Sequence, residues 1–305
     1  MFNNLIDIER LTVDEINQII DLAAKFKFDK AKSSVIEKVL CLMFCENSTR
    51  TKCSFELAAK KLGMHVLNLE VKTSSFNKGE SMKDTLENLY FIGADAAVIR
   101  HSTPFIVGEA LKSIKYPLTL INGGDGNNAH PTQALLDYLT MIEKLKTIEG
   151  KKVVIIGDIS HSRVAKSNIA LLSKFKADIH LCAPIYFKPK DIESLNITWH
   201  SNLKTAVKDA DAVMTLRVQK ERHINEKYQI EDYISNYQIN SEILKLAKEK
   251  VLLMHPGPVN RDIEITSELL DSNKGVTILE QAQNGVFIRM AVLDLLLSKK
   301  EARCF

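Results

Sequence analysis

Short apolar runs of strand length recur along this chain, and each is followed by a stretch whose apolar residues return at helical spacing. The first series of runs falls at 39–44, 65–69, 96–99 and 118–121, with helical periodicity near 51–62, 81–93 and 105–114 between them. Such alternation builds a parallel sheet covered on both faces, because each parallel connection needs a crossover long enough to hold a helix. A long helix near 132–148 leads out of this unit. The series then restarts at 151–158 and continues through 179–183, 212–216, 251–254 and 276–278. At 305 residues, and about 150 residues per domain, the pattern implies two domains, each with its own core. The expected fold class is α/β: two domains, each a mainly parallel sheet with helices on both faces, joined by long interdomain helices. Ahead of the first strand, Thr12-Val13-Asp14-Glu15 is a capping box, followed by Ile16, Ile19, Ile20, Ala23 and Phe26 at helical spacing. The stretch 286–297 is apolar on nearly every face except at Arg289 and Asp294, so it must be buried by both neighbours, and we expect it to return to the first domain.

Ser48-Thr49-Arg50-Thr51 lies between the first apolar run and the first amphipathic stretch. A strand delivers the backbone to a turn, and a helix then opens with hydroxyls, N–H groups that lack helical partners, and a guanidinium. The first N–H groups and the positive end of the helix dipole hold a phosphate by geometry and by field together. Arg50 adds a planar two-pronged donor. Ser and Thr are also ordinary helix caps, so other residues must decide between the two readings. Arg100 and His130 follow strands of the first sheet and face the same crevice. His130, before Pro-Thr-Gln at a helix start, suits a neutral imidazole that donates to a carbonyl oxygen. Arg163 and Arg217 follow strands of the second series; two guanidiniums there suit a dicarboxylate with its charges a short carbon chain apart, and Gln219 adds a neutral donor.

Composition narrows the function classes. Hydrophobic residues make up 45% and charged residues 26%, which is ordinary for a soluble globular protein. The 41 basic and 38 acidic residues leave a net charge of +3, too little for a nucleic-acid surface, so any anion binding is local. Cysteines at 41, 45, 53, 182 and 304 show neither a paired framework nor a Cys-x-x-Cys spacing, which fits a reducing cytoplasm. No apolar run approaches the roughly 20 residues of a membrane span, and Asp7, Glu9 and Arg10 argue against a signal peptide. Gly157-Asp158-Ile159-Ser160-His161-Ser162 lacks the G-x-G-x-x-G spacing of a dinucleotide site.

Six segments occur in order over nearly the whole chain: Ser48-Thr49-Arg50-Thr51, Ser74-Ser75-Phe76-Asn77-Lys78-Gly79-Glu80, Arg100-His101-Ser102, His130-Pro131-Thr132-Gln133, Arg217-Val218-Gln219-Lys220-Glu221-Arg222 and His255-Pro256-Gly257-Pro258. In this set the chain resembles the catalytic chains of the aspartate/ornithine carbamoyltransferase superfamily, on its aspartate side. The resemblance implies a carbamoyl phosphate-binding domain, 1–133 with 284–305, and an aspartate-binding domain, 134–283. It implies transfer of the carbamoyl group of carbamoyl phosphate to the α-amine of L-aspartate, an early step of pyrimidine synthesis, with no cofactor and no metal. Arg50, Thr51, Lys78, Arg100 and His130 then match catalytic positions. Ser48, Thr49, Arg50, Thr51, Arg100, His130, Gln133, Gly257 and Pro258 match the carbamoyl phosphate site, and Lys78, Arg163, Arg217 and Gln219 the aspartate site. Ser74 and Lys78 match residues that enter from a neighbouring subunit, which implies a cytoplasmic homotrimer with shared sites; regulatory chains are compatible with the same resemblance. The Gly257–Pro258 bond is expected to be cis. Glu46, Arg163 and Arg222 match positions that pair across the domains when the site closes. One departure is Lys52, where the family pattern usually carries Arg; the charge is kept and the fork is lost.

Three rivals can be weighed on residues. An ornithine enzyme has a cysteine after the His of the last motif and lacks the Arg-Val-Gln-Lys-Glu-Arg run, whereas here Pro256 follows His255 and the run is intact. A non-catalytic assembly subunit would be expected to lose anion ligands, yet Arg50, Arg100, His130, Arg163 and Arg217 are all present. A dinucleotide oxidoreductase is disfavoured by the glycine spacing.

Overall fold

The computed structural model describes residues 2–69, 79–189, 196–218, 230–272 and 275–298. The chain divides into two compact units, one formed by 1–136 with 282–305 and the other by 137–281.

In the first unit, α1 (Val13–Lys27) opens with the capping box read from the sequence: Thr12 Oγ1 accepts the Glu15 N–H at 3.2 Å, and Glu15 accepts the Thr12 N–H at 3.0 Å. Four parallel strands follow, β1 (Val39–Phe44), β2 (His65–Leu69), β3 (Ala96–His101) and β4 (Thr119–Asp125), in the order β2-β1-β3-β4. Helices α2 (Thr49–Lys61), α3 (Met82–Ile92) and α4 (Ile106–Ser113) connect them. Leu40, Cys41, Leu42 and Met43 are all fully buried, as a central parallel strand requires, while β2 at the edge is mostly exposed.

Helix α5 (Pro131–Leu145) runs from the first unit into the second, and α11 (Ile278–Leu297) runs back. In the first unit, both polar exceptions along α11 are engaged. Asp294 accepts from the Ser34 N–H and hydroxyl at 2.8 and 2.9 Å, and the Arg289 guanidinium lies 5.0 Å from the centre of the Phe55 ring.

The second unit holds β5 (Lys152–Ile156), β6 (Asp178–Cys182), β7 (Ile197–His200), β8 (Ala212–Thr215) and β9 (Leu252–Met254), parallel and in the order β7-β6-β5-β8-β9. Around it lie α6 (Arg163–Lys174), α7 (Leu203–Val207), α8 (Ile230–Tyr237), α9 (Ser241–Leu244) and α10 (Ser267–Asp271). Two details differ from expectation. Strand β7 is additional; it is four residues long and none of them is fully buried, so no apolar run marks it. No strand forms at 276–278: Val276 makes a single bridge to Leu253, and Thr277, whose carbonyl accepts the Gln281 N–H, turns the chain into α11.

In each unit the strand order reverses beside the first strand. The chain lays β2 to one side of β1 and then crosses to β3 on the other; likewise β6 and β7 lie to one side of β5, and β8 and β9 to the other. Open parallel sheets bind ligands beyond the carboxyl ends of the strands at such reversals.

The opposite ends of these strand pairs are fastened by one repeated device. Asp95, just before β3, accepts the Val39 N–H at 2.8 Å and lies 3.6 Å from Lys38 Nζ. Asp211, just before β8, accepts the Lys152 N–H at 3.0 Å and pairs with Lys248 Nζ at 2.8 Å and Lys151 Nζ at 3.6 Å. Both are buried, and both follow Ala and precede Ala. Burial pushes the Asp211 pKa up, but hydrogen bonds from Lys248 and the Lys152 N–H, with the charges of Lys248 and Lys151, outweigh it and hold the carboxyl below its usual range. A depressed carboxyl stabilises the fold above its unfolded pKa of about 3.9, and the contribution is lost as pH falls through the lower folded value. Asp211→Asn is therefore expected to cost about 1–3 kcal/mol at neutral pH, with the difference from wild type shrinking below about pH 4, as read by urea denaturation across pH.

Candidate active site

Beyond the β1/β3 reversal lie side chains from β3, from the loop after β1, from the loop before α5, and from the first turns of α2 and α5. Arg100 lies inside β3 rather than just past it; its Nε is 2.7 Å from Glu46 Oε1, after β1, and its Nη1 donates to the Gly123 carbonyl of β4 at 3.3 Å. The guanidinium thus spans the crevice from β1 to β4. Thr51, in the first turn of α2 and 6% exposed, brings its Oγ1 to 3.5 Å from Nε2 of buried His130. His130 immediately precedes α5, with Pro131 at the first helical position, where its missing N–H costs nothing. Buried Gln133 donates its N–H to the His130 carbonyl at 3.0 Å.

The loop that delivers His130 is held by a polar scaffold that sequence reasoning missed. Asn122 Nδ2 donates to the Ile6 carbonyl and to Asp125 at 2.9 Å each, and its Oδ1 accepts the Gly124 N–H at 2.7 Å. Asp125 also accepts the Ala129 N–H at 3.0 Å. The signal available was the Asn-Gly-Gly-Asp-Gly-Asn-Asn run that begins inside an apolar strand.

In each unit, taken by itself, helix starts contribute to the local field. Ser48, at the N-cap of α2, has extended backbone and makes no side-chain cap bond, against the plain capping reading. The first turns of α2, α5, α6 and the five-residue α7 carry no acidic residue, whereas those of α1, α3, α4, α8, α9, α10 and α11 each carry at least one. A carboxylate in the first turn would compete with a bound anion for the same N–H groups and the same dipole end. Cys45, beside Glu46, is pushed up to about 11 by burial and by the Glu46 charge, so it stays a thiol and offers no nucleophile.

The second unit presents its own set at the β5/β8 reversal. Gly157, just past β5, has φ +118°, and a Cβ there would lie 3.2 Å from the Leu216 carbonyl, so only glycine lets the two strand ends approach this closely. Asp158 accepts from His161 Nδ1 at 2.8 Å, and Ser162 caps α6 by accepting the Ala165 N–H at 3.1 Å, which makes Arg163 the first helical residue. Arg217 follows β8 and is half-buried. After β9, His255 Nδ1 accepts the Gly257 N–H at 2.7 Å, the His255 N–H is taken by Gln281 Oε1 at 3.0 Å, and Gln281 donates to Asp137 at 2.8 Å. The Gly257–Pro258 bond is cis. Ser74, Lys78, Gln219 and Arg222 lie outside the described residues.

A cavity of 270 Å³ lined by Tyr138, Phe175 and three lysines lies at the amino ends of β5 and β6, away from these residues. Among the described residues no His, Cys, Asp or Glu cluster is fit to hold a metal ion, and no helix is long and apolar enough to cross a membrane.

Residues 3–143 match the carbamoyl phosphate-binding domain of aspartate/ornithine carbamoyltransferases, and residues 149–296 match their Asp/Orn-binding domain. The chain belongs to the aspartate/ornithine carbamoyltransferase family. Among relatives of this carbamoyltransferase, the aspartate carbamoyltransferase catalytic subunit of Koribacter versatilis is 44% identical over 97% of each chain. Aspartate transcarbamoylase of Trypanosoma cruzi, solved with carbamoyl aspartate and phosphate, superposes with a TM-score of 0.87 at 30% identity, covering 97% of this chain and 96% of that one. Ornithine carbamoyltransferase of Pyrococcus furiosus superposes at 0.89 and 30% identity over 98% of each chain. Backbone likeness therefore leaves the acceptor to the side chains of the second unit.

Proposed function

We infer that this chain is an aspartate carbamoyltransferase: it transfers the carbamoyl group of carbamoyl phosphate to the α-amine of L-aspartate, giving N-carbamoyl-L-aspartate and phosphate. The observation that carries this reading is the meeting of Thr51 with His130 in the crevice that also holds Arg100, in a chain 44% identical to an aspartate carbamoyltransferase catalytic subunit. The α-amine attacks the carbonyl carbon, a C–N bond forms, and the bond from that carbon to the phosphate oxygen breaks. The mixed anhydride is already activated, so the reaction needs placement and charge stabilisation rather than a covalent intermediate. Ser48, Thr49, Arg50 and Thr51 hold the phosphate on the α2 N-terminus. Thr51, Arg100 and His130 polarise the carbonyl, while Gln133 and the backbone at Gly257 and Pro258 hold the carbamoyl nitrogen. Arg163, Arg217 and Gln219 take the two carboxylates of aspartate. The departing phosphate accepts the amine proton, because no side chain in the set is an evident general base.

The first unit with its terminal helix is in this reading the carbamoyl phosphate-binding domain, and the second the aspartate-binding domain. Ser74 and Lys78 act from a neighbouring subunit, so the working form is a cytoplasmic homotrimer with shared sites. The sequence favours aspartate over ornithine through Arg217 and through Pro256 after His255.

A ureido-product assay with aspartate and ornithine side by side tests the reaction. Product is expected with aspartate alone, and Arg217→Ala is expected to lower kcat/KM for aspartate by about 100-fold or more, the loss of a charge-assisted fork. Sharing of sites is tested by mixing inactive Lys78→Ala and Arg50→Ala chains. Hybrid trimers regain part of the activity if the sites are shared; no recovery after verified subunit exchange rules sharing out.

A further inference from the structure

We propose that Glu264 is a positioning residue for the transfer: its carboxylate fastens the loop after β8, which presents Arg217, to the loop after β9, which presents Gly257 and Pro258. The proposal rests on the functional reading above and deepens it. Glu264 is fully buried, and its donors come from both loops. Oε1 accepts the Val218 N–H at 2.8 Å and Asn260 Nδ2 at 2.7 Å; Oε2 accepts the Asn260 N–H at 2.6 Å and lies 3.6 Å from His255 Nε2. Asn260 Nδ2 also donates to the Val218 carbonyl at 3.2 Å, so both backbone polar groups of the residue next to Arg217 are held. On the other side, His255 Nδ1 accepts the Gly257 N–H, which makes Nε2 the protonated nitrogen and turns that N–H toward Glu264.

The contacts lie where the sheet no longer acts. Strands β8 and β9 are paired through Ala212–Leu252, Val213–Leu253 and Met214–Met254, and the ladder stops there. Past Met254, the register of Arg217 against Gly257 has no strand pairing to set it, and the Glu264 carboxylate supplies that link. A buried carboxylate tolerates no half-made network: if either loop leaves, acceptor lone pairs stay buried without donors. The two loops are therefore held or released as one unit.

Glu264→Gln keeps the size and sets an NH₂ against N–H donors. It is expected to raise KM for aspartate about tenfold or more while leaving affinity for inorganic phosphate within about twofold, since one hydrogen bond to a charged group is lost in the second unit alone. A residue that only supports the fold would lower the melting temperature and the active fraction, hence kcat, without moving KM. In an Arg217→Ala background the same change should lower kcat/KM for aspartate by less than about twofold, because both act through one guanidinium. Asn260→Ala, which opens the clasp from its partly exposed side, serves if Glu264→Gln does not fold, and is expected to raise the same KM about threefold. An unchanged KM in the folded variants, or an effect that adds in full to Arg217→Ala, overturns the proposal. Absence of ureido product with the wild-type chain defeats instead the functional reading beneath it.

Discussion

A buried aspartate at the foot of each central strand pair is the interaction on which the rest depends. In a parallel sheet a slip of one residue turns every side chain to the other face. Asp95 and Asp211 bind the opening N–H of the neighbouring strand, at Val39 and at Lys152, and so pin β1 against β3 and β5 against β8 at their amino ends. Register then carries up the ladder. Phe44 comes to lie opposite Arg100 and Ile156 opposite Thr215, which sets Glu46 beside the one guanidinium and Gly157 beside the carbonyl that precedes the other.

What is built on that register is an electrostatic site in a chain of almost neutral charge. Its +3 is spread over 305 residues, so attraction for an anion comes from local features. These are helix starts with no acidic residue in their first turns, and arginines at or just past strand ends, of which Arg100 is fixed by the Gly123 carbonyl and the Glu46 carboxylate. The Glu46–Arg100 pair shows the cost of such a design. A guanidinium held ready in a half-buried crevice is kept in place by a counter-charge, with which any anion arriving there has to compete. Polar side chains that bond to the backbone of the surrounding loops, Asn122, Asp125, Gln281 and Glu264, do the holding.

Much of this was legible in the residues. Strand and helix alternation is visible because buried parallel strands are continuous apolar runs, and the capping box at Thr12 is local chemistry with a fixed spacing. Ser48–Thr51, Arg100 and His130 could be singled out because hydroxyls and guanidiniums just after apolar runs have few structural uses. The rest was hidden for definite reasons. Strand β7 owes its state to β6 beside it rather than to its own pattern. The run at 276–278 is apolar enough for a strand, yet only one bridge forms before α11 begins. Glu264 sits in a polar stretch, Asn260-Arg261-Asp262-Ile263-Glu264, that reads as solvated surface, and its burial follows from which loops fold over it. Asp95 and Asp211 share an Ala-Asp-Ala setting, but only the strand order reveals that each takes the opening N–H of the neighbouring strand, Val39 for one and Lys152 for the other.

Separate capture of the two reactants, phosphate by the first unit and dicarboxylate by the second, is tested most directly by calorimetric titration of inorganic phosphate and of N-(phosphonacetyl)-L-aspartate, a compound that the Trypanosoma cruzi enzyme has been solved with. Arg50→Ala is expected to weaken both ligands, whereas Arg217→Ala is expected to weaken the bisubstrate compound and leave inorganic phosphate unaffected. Loss of inorganic phosphate binding in Arg217→Ala, or failure of the wild-type chain to bind the bisubstrate compound, would contradict it.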